Sequence, residues 1–125
     1  MTIQLTDDSL LKTKAYINGE WVEADSGEIL AVTNPATGEH LVSVAKCSTP
    51  ETRRMVEAAA VAQKTWAKTT AKQRTALLRR WFELIMANQE DLAQILTAEQ
   101  GKPLAESRGE ITYGANYVEW FSEEA

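Results

Sequence analysis

The sequence divides at residue 48, where short β-prone segments give way to long stretches with helical periodicity. Before this point, short apolar runs are separated by the turn-forming residues Asn, Asp, Gly and Pro. After it, apolar residues recur at the three- and four-residue spacing of amphipathic helices. The pattern predicts an α+β chain, with an N-terminal antiparallel β-meander followed by about four amphipathic helices.

The β-meander is predicted from its turns. Asn18-Gly19 separates AYI from EWV and is the strongest short hairpin signal in the sequence. Further turns are expected at ADSGE and NPATGE, which gives about four short strands. Such a meander has two open edges and little core of its own, so we expect it to pack against other parts of a protein.

Capping residues mark where the helices begin. Thr49-Pro50-Glu51 is interpreted as an N-cap, a proline at the first helical position and an acid in the first turn. Residues 70–73 fit a capping box that starts a second helix. Asn88 together with Asp91 is expected to cap a third helix.

Residues 99–110, EQGKPLAESRGE, contain a Gly-Lys pair that invites comparison with a phosphate-binding loop. Such a loop needs a glycine five positions before the Gly-Lys pair and a hydroxyl residue after it. Those positions hold Leu96 and Pro103. Gly101 instead suits the left-handed residue that ends a helix, and Pro103 suits the start of the next. We therefore interpret this stretch as a joint between two helices.

The fourth helix is predicted to be aromatic and to contain two glycines. Gly109 and Gly114 each cost a helix about 1 kcal/mol relative to alanine, so we expect a backbone or ligand to come close to them. The sequence stops at Ala125 without a C-cap, which we interpret as an interrupted chain. The aromatic residues of this helix are Tyr113, Tyr117, Trp120 and Phe121.

Composition narrows the classes of function. The net charge of −5, with scattered Lys and Arg, argues against nucleic-acid binding. No apolar run approaches membrane-spanning length, so no membrane association is expected. The single cysteine, Cys47, fits a reducing cytoplasm and is expected to be inert. His40, the one histidine, is expected to be a solvated turn residue. One cysteine and one histidine are too few ligands to form a soft-metal cluster.

Four stretches, in this order, carry a resemblance: NGEW (18–21), VTNPATGE (32–39), EQGKPLAES with RGEI (99–111) and YVEWFSEEA (117–125). Together they resemble the N-terminal segment of the aldehyde dehydrogenase superfamily, and within it most closely the bacterial succinate-semialdehyde dehydrogenases. The resemblance implies an α/β parent enzyme that uses NAD or NADP, acts on a small aldehyde and forms a homo-oligomer.

The resemblance also implies how the chain is organised. Residues 1–13 would be an N-terminal extension, and residues 14–47 would contribute their meander to the oligomerisation domain. Residues 48–125 would pack on the dinucleotide-binding domain, so the main partner is the remainder of the same polypeptide. The catalytic cysteine, the general base and the cofactor-binding segments would lie beyond residue 125. No catalytic or cofactor-binding residue is therefore expected in this chain.

Two binding features follow from the resemblance alone. A structural monovalent cation would be held by backbone or hydroxyl oxygens of Val32 and Thr33 and by the Glu99 carboxylate, ligands that suit a hard cation. The alternative is that Glu99 is a surface charge. Gly114 and Tyr117 would line the tunnel by which the aldehyde enters; the alternative is that Gly114 lets a neighbouring backbone pack closely.

Two hypotheses of function remain. The first is a segment of an NAD(P)-dependent enzyme that oxidises succinate semialdehyde to succinate in 4-aminobutyrate degradation. In that enzyme the segment supplies scaffold, oligomer contact and tunnel wall, and is inactive alone. The alternative is a free-standing protein-interaction module without enzymatic activity.

Overall fold

The computed structural model describes residues 3–124, so Met1, Thr2 and the terminal Ala125 lie outside the described residues. The strands are β1 (Ala15–Ile17), β2 (Glu20–Val22), β3 (Ile29–Thr33) and β4 (His40–Ala45). The helices are α1 (Thr49–Trp66), α2 (Ala71–Ala87), α3 (Gln89–Gln100) and α4 (Leu104–Glu123). Antiparallel strands followed by four helices confirm the predicted α+β class. Among residues 3–124, no helix is both long and apolar enough to cross a lipid bilayer.

The first hairpin pairs β1 with β2, as the Asn18-Gly19 signal predicts. Both turn residues have positive φ angles, 51° at Asn18 and 86° at Gly19, which matches the twist of the flanking strands. Tyr16 and Trp21 face each other across the pair, with ring centroids 5.1 Å apart. The hairpin is therefore specified locally, by its turn and by one aromatic pair.

The second hairpin pairs β3 with β4, and its register shifts between Val32 and Thr33. The four strands thus form two separate two-stranded sheets rather than one continuous sheet. The chain between the sheets turns away toward α1, where the Asp25 amide donates a 2.7 Å hydrogen bond to Glu51. A hydrogen bond of 2.8 Å from the Ala45 amide to the Thr13 carbonyl links the second hairpin to the chain before the first.

The start of α1 differs by one residue from the expectation. Ser48 is the N-cap, not Thr49, because the capping box requires its acid three residues after the cap. Glu51 occupies that position and accepts a 2.8 Å hydrogen bond from the Ser48 amide. The same carboxylate accepts the Asp25 amide, and Glu51 is only 2% exposed. One side chain therefore starts α1 and attaches it to the strands.

Of the caps predicted for α2 and α3, the structure contains the first but not the second. Thr70 and Gln73 form the predicted capping box of α2, with the Thr70 amide 2.9 Å from the Gln73 side-chain oxygen. Asn88 precedes α3, but its side chain does not cap that helix. Its amide group donates instead to the Leu84 carbonyl at 2.8 Å, so this side chain serves the end of α2.

Helix α4 packs against α2 and α3 through small side chains. Among the described residues, four small ones are completely buried: Ala93, Ser107, Ala115 and Ser122. The Thr75 hydroxyl joins α2 to the Ser122 carbonyl at 2.8 Å, and the Thr97 and Ser107 hydroxyls join α3 to α4 at 2.8 Å. Close approach of the three helices is thus stabilised by short polar contacts rather than by a large apolar core.

Many of the apolar residues that recur at helical spacing after residue 48 face solvent. On α2, Leu77, Trp81 and Leu84 are all exposed. The accessible surface of the chain is 8816 Å². A compact protein of 13.9 kDa is expected to expose only about 6,700 Å². The helices therefore present more surface than they bury against one another.

Candidate functional site

The joint between α3 and α4 lies against the turn between β3 and β4. Gly101 ends α3 in the left-handed region with φ of 83°, and its amide donates to the Thr97 carbonyl at 2.9 Å. A Cβ atom at Gly101 would lie 2.8 Å from Cγ of Pro35. Pro103 then caps α4. The predicted helix joint is confirmed, and two stretches that carry the resemblance, NPATGE and QGKP, meet at one corner.

Lys102 has a structural partner at this corner. Its ammonium group forms an ion pair with Glu110, about two turns into α4, and its side chain is largely covered. Arg108 similarly holds Glu90 with two hydrogen bonds of 2.7 and 2.8 Å, which lowers the pKa of Glu90. These basic groups tie α4 to its surroundings and do not form a phosphate-binding cluster.

The residues predicted to hold a cation lie on the two sides of this corner. Thr33 ends β3 two residues before Pro35, and Glu99 lies two residues before Gly101. Val32 is half-buried, whereas Thr33 and Glu99 are exposed. Among residues 3–124, no group of three or more His, Cys, Asp or Glu side chains could hold a metal ion. A cation here would depend on main-chain and hydroxyl oxygens with one carboxylate, and its assignment remains a prediction.

A cleft of about 380 Å³ opens at the same corner. The β3–β4 turn contributes Asn34, α4 contributes its first residue Leu104, and the N-terminal segment closes one side. The complete lining is Ile3, Gln4, Asn34, Gln94, Thr97, Ala98 and Leu104. The cleft therefore joins four parts of the chain: the N-terminal segment, the β3–β4 turn, α3 and the start of α4.

The residues predicted to line a substrate tunnel lie on the exposed side of α4. Tyr117 is half-exposed, and its hydroxyl lies 2.8 Å from the Tyr113 hydroxyl one turn earlier. Their rings meet edge to face with centroids 5.0 Å apart. This hydrogen bond raises the pKa of Tyr113 above its usual value. The pair forms a firm aromatic surface with two polar tips.

Gly114 faces open space. A Cβ atom at Gly114 would meet nothing within 4 Å, and the same holds at Gly109. Within residues 3–124, neither glycine is therefore required by a neighbouring backbone. The expected close approach does not occur between these residues, which leaves room beside Gly114 for a partner or a ligand.

Cys47 and His40 take no part in these features. Cys47 is a free, half-buried thiol between β4 and α1. The exposed His40 begins β4, and its Nε2 lies 2.9 Å from the Ser43 hydroxyl. His40 is exposed as expected, but it is the first residue of β4 and not a turn residue, because strand pairing begins opposite Thr33. The expected inertness of Cys47 stays a prediction.

The sequence of this chain matches a known protein family over most of its length. Residues 21–125 match the aldehyde dehydrogenase family. The chain belongs to the aldehyde dehydrogenase family. Of curated members, glutarate-semialdehyde dehydrogenase of Pseudomonas putida is 58% identical over 98% of this chain and 26% of its own length. The Escherichia coli succinate-semialdehyde dehydrogenase GabD, whose name specifies NADP(+), is 51% identical over 98% of this chain and 25% of its own.

The structure agrees with this aldehyde dehydrogenase assignment. A solved succinate-semialdehyde dehydrogenase from Burkholderia pseudomallei superposes with a TM-score of 0.94 at 56% identity. The superposition covers 96% of this chain and 25% of the solved one. The chain thus spans about a quarter of the length of the aldehyde dehydrogenases that it matches.

The sequence did not identify Glu51 and Asp91 as the residues that hold distant parts of this aldehyde dehydrogenase chain together. Glu51 holds Asp25, whose carboxylate is in turn held by Arg54 through hydrogen bonds of 2.6 and 2.8 Å. The Arg54 guanidinium lowers the pKa of Asp25. Asp91 holds the amides of Thr6 and Asp7. The available signal was an acid in the first turn of each helix, which local reasoning attributes to the helix dipole alone.

Proposed function

We propose that this chain is the N-terminal segment of an NAD(P)-dependent aldehyde dehydrogenase that oxidises succinate semialdehyde to succinate in 4-aminobutyrate degradation. The observation that carries the proposal is similarity along 98% of this chain to semialdehyde dehydrogenases about four times its length. The Escherichia coli relative supports both the substrate and a nicotinamide cofactor, NAD or NADP, since its name states succinate semialdehyde and NADP(+).

Glutarate semialdehyde is the competing substrate. The Pseudomonas putida relative named for it is 58% identical to this chain, against 51% for the Escherichia coli succinate-semialdehyde enzyme. Both compounds carry an aldehyde at one end and a carboxylate at the other, and they differ by one methylene. A single methylene changes binding by only about 1–3 kcal/mol, so the two are to be separated by measured kcat/KM values.

The proposed reaction converts an aldehyde, water and NAD(P)+ into a carboxylate, NAD(P)H and two protons. In the complete enzyme, a cysteine outside this chain would attack the aldehyde, a nicotinamide cofactor would supply the hydride acceptor, and water would hydrolyse the thioester formed on that cysteine. These groups are proposed to lie outside residues 1–125. Residues 1–13 serve as an extension, residues 14–47 as oligomer contact and residues 48–125 as packing for the dinucleotide-binding domain.

Within that enzyme, α4 forms part of the wall of the aldehyde tunnel. The exposed Tyr117 and the open space beside Gly114 support this role. A monovalent cation at Val32, Thr33 and Glu99 would brace the corner where β3 and α3 end. The proposed location is the cytoplasm and the proposed assembly a homo-oligomer.

The test is complementation. The purified chain is mixed with the part of the Escherichia coli relative that it does not match, and NAD(P)H absorbance is followed with each semialdehyde. We expect no activity from either piece alone and measurable oxidation from the mixture, faster with succinate semialdehyde. Hydride transfer by the chain alone, abolished by Cys47→Ser, would show that the scaffold role is wrong.

A free-standing interaction module is the second candidate. The observation that favours it is the exposed apolar surface on α2 and α4, which suits partner binding. A mixture that stays inactive, combined with a compact monomeric chain in sedimentation, would support this candidate over the enzyme segment.

A further inference from the structure

The N-terminal segment is fixed to the beginning of α3 by Asp91. Its carboxylate accepts the Asp7 amide at 2.9 Å and the Thr6 amide at 3.0 Å to each oxygen. Asp91 is only 5% exposed, and Thr6 lies 85 positions earlier in the chain. Charge-assisted hydrogen bonds to main-chain amides are among the stronger polar contacts in proteins. The N-terminal segment is therefore anchored to α3 at this point.

From Asp91 the N-terminal segment runs along α3 toward the Gly101 joint. Asp91, Gln94 and Ala98 share one face of α3, at the spacing of three and four residues. Ile3 lines the cleft together with Gln94 and Ala98. The lengths agree, because the helix rises about 10 Å between Asp91 and Ala98. The extended chain from Ile3 to Thr6 also spans about 10 Å.

Burial along the segment has the alternation of an extended chain lying on a surface. Ile3 and Leu5 are half-buried, whereas Gln4 and Thr6 are exposed. The segment ends at Asp7, which caps the short turn Asp8–Leu10 by accepting the Ser9 amide at 2.9 Å. A firm turn thus stops the extended stretch immediately beyond its anchor.

We propose that residues 3–7 are a strap that Asp91 latches onto α3, and that release of this latch opens the cleft beside the Gly101 joint. The strap forms one side of that cleft, and the opposite sides belong to the β3–β4 turn and to Leu104 at the start of α4. Within residues 3–124, Asp91 fixes the strap to α3 through hydrogen bonds from two main-chain amides, those of Thr6 and Asp7. The strap is independent of the proposed enzymatic function, since it uses only contacts within this chain.

The latch is tested by the reactivity of a thiol placed in the cleft. Ala98→Cys is introduced into the full chain with Cys47→Ser, and its labelling by a maleimide is timed. We expect Asp91→Asn to speed labelling on the order of tenfold. A carboxamide has only one acceptor oxygen, and its NH₂ group would face an amide of the strap. Glu90→Gln is the control, because Glu90 is also acidic and in the same turn but bonds to Arg108.

A second variant keeps Asp91 and removes the strap. Deletion of residues 2–7 should accelerate labelling of Ala98→Cys as much as Asp91→Asn does, while far-ultraviolet circular dichroism retains the helical signal. Equal labelling rates in the parent and in the deletion variant would overturn the proposal. If Asp91→Asn loses the helical signal, the deletion variant alone decides: faster labelling of a folded chain supports the strap, and unchanged labelling rejects it.

Discussion

The carboxylate of Glu51 accepts a 2.7 Å hydrogen bond from the backbone amide of Asp25, 26 positions earlier in the chain. This hydrogen bond attaches α1 to the connection between the two hairpins. Arg54, one turn along α1, reinforces the attachment through its ion pair with the Asp25 side chain. Helix α1 makes few other contacts with the strands, so this junction is a main attachment between α1 and the hairpins.

The first prediction concerns pH. Hydrogen bonds from the amides of Asp25 and Ser48 lower the pKa of Glu51 from its usual 4.5 to about 2. A lowered pKa in the folded state stabilises the fold above the unfolded pKa and loses that effect as pH falls. Thermal melts should therefore show the stability difference between wild type and Glu51→Gln to be full above about pH 5 and to be lost as pH falls through about 2.

The control for this effect is Glu57→Gln, an exposed acid on the same helix. It should leave the pH dependence of the melting temperature unchanged. A wild type and a Glu51→Gln variant that lose stability in parallel across the acid range would contradict the assignment to Glu51.

The second prediction concerns the joint. Gly101→Ala should destabilise the chain by about 1–2 kcal/mol, because an L-residue is strained at positive φ. The added Cβ would also meet Pro35 at 2.8 Å. Gly109→Ala is the matched control, since it lies within α4 in open space and should stabilise by about 0.5–1 kcal/mol. In urea unfolding, the free energy of unfolding should be highest for Gly109→Ala, intermediate for wild type and lowest for Gly101→Ala. The reverse order would exclude a left-handed cap at Gly101.

The third prediction concerns the proposed cation. The melting temperature of the chain should be higher in sodium or potassium chloride than in tetramethylammonium chloride at equal ionic strength. Glu99→Gln should remove this difference because it removes the one carboxylate of the site. Glu106→Gln, another exposed acid near the joint, should preserve it. The same cation dependence in wild type and Glu99→Gln would reject the site.

The fourth prediction concerns the tunnel wall. If the proposed tunnel role is right, Gly114→Phe in the proposed complete enzyme should lower kcat/KM for the semialdehyde on the order of tenfold, because it fills the space beside Tyr117. Gly109→Phe is the steric control, since it also enters open space but on a different side of α4. Circular dichroism and oligomer size are measured for both variants. An equal effect of the two substitutions would place the tunnel elsewhere.

Local features of the fold could be predicted from the sequence. Asn18-Gly19, Gly101 and the capping box at residues 70–73 each depend on the backbone requirements of a few adjacent residues. The structure agrees with all three. The tertiary roles of Glu51 and Asp91 could not be predicted, because their partners are 26 and up to 85 positions away. A single sequence carries no local signal for such a pairing.

The candidate site shows the same limit. The sequence marks Gly114 as a costly glycine inside a helix. The tunnel role of Gly114 and the cation role of Thr33 come only from family resemblance, since neither residue has chemistry of its own to indicate that role. Similarly, the spacing of Leu77, Trp81 and Leu84 indicates an apolar helix face. The spacing does not indicate that this face is exposed. Burial depends on the surface that covers a helix, and no part of residues 3–124 covers Trp81 completely.

The long separation between Thr6 and Asp91 has a consequence for synthesis on the ribosome. At about 5–20 residues per second, the 85 positions between the two residues correspond to roughly 4–17 seconds of translation. The hairpins can form during this interval, because their partners emerge almost together. The segment of residues 3–7, by contrast, cannot dock on α3 until that helix leaves the exit tunnel. For those seconds Ile3 and Leu5 are available to chaperones, and ribosome profiling with chaperone capture should detect their occupancy ending as α3 emerges.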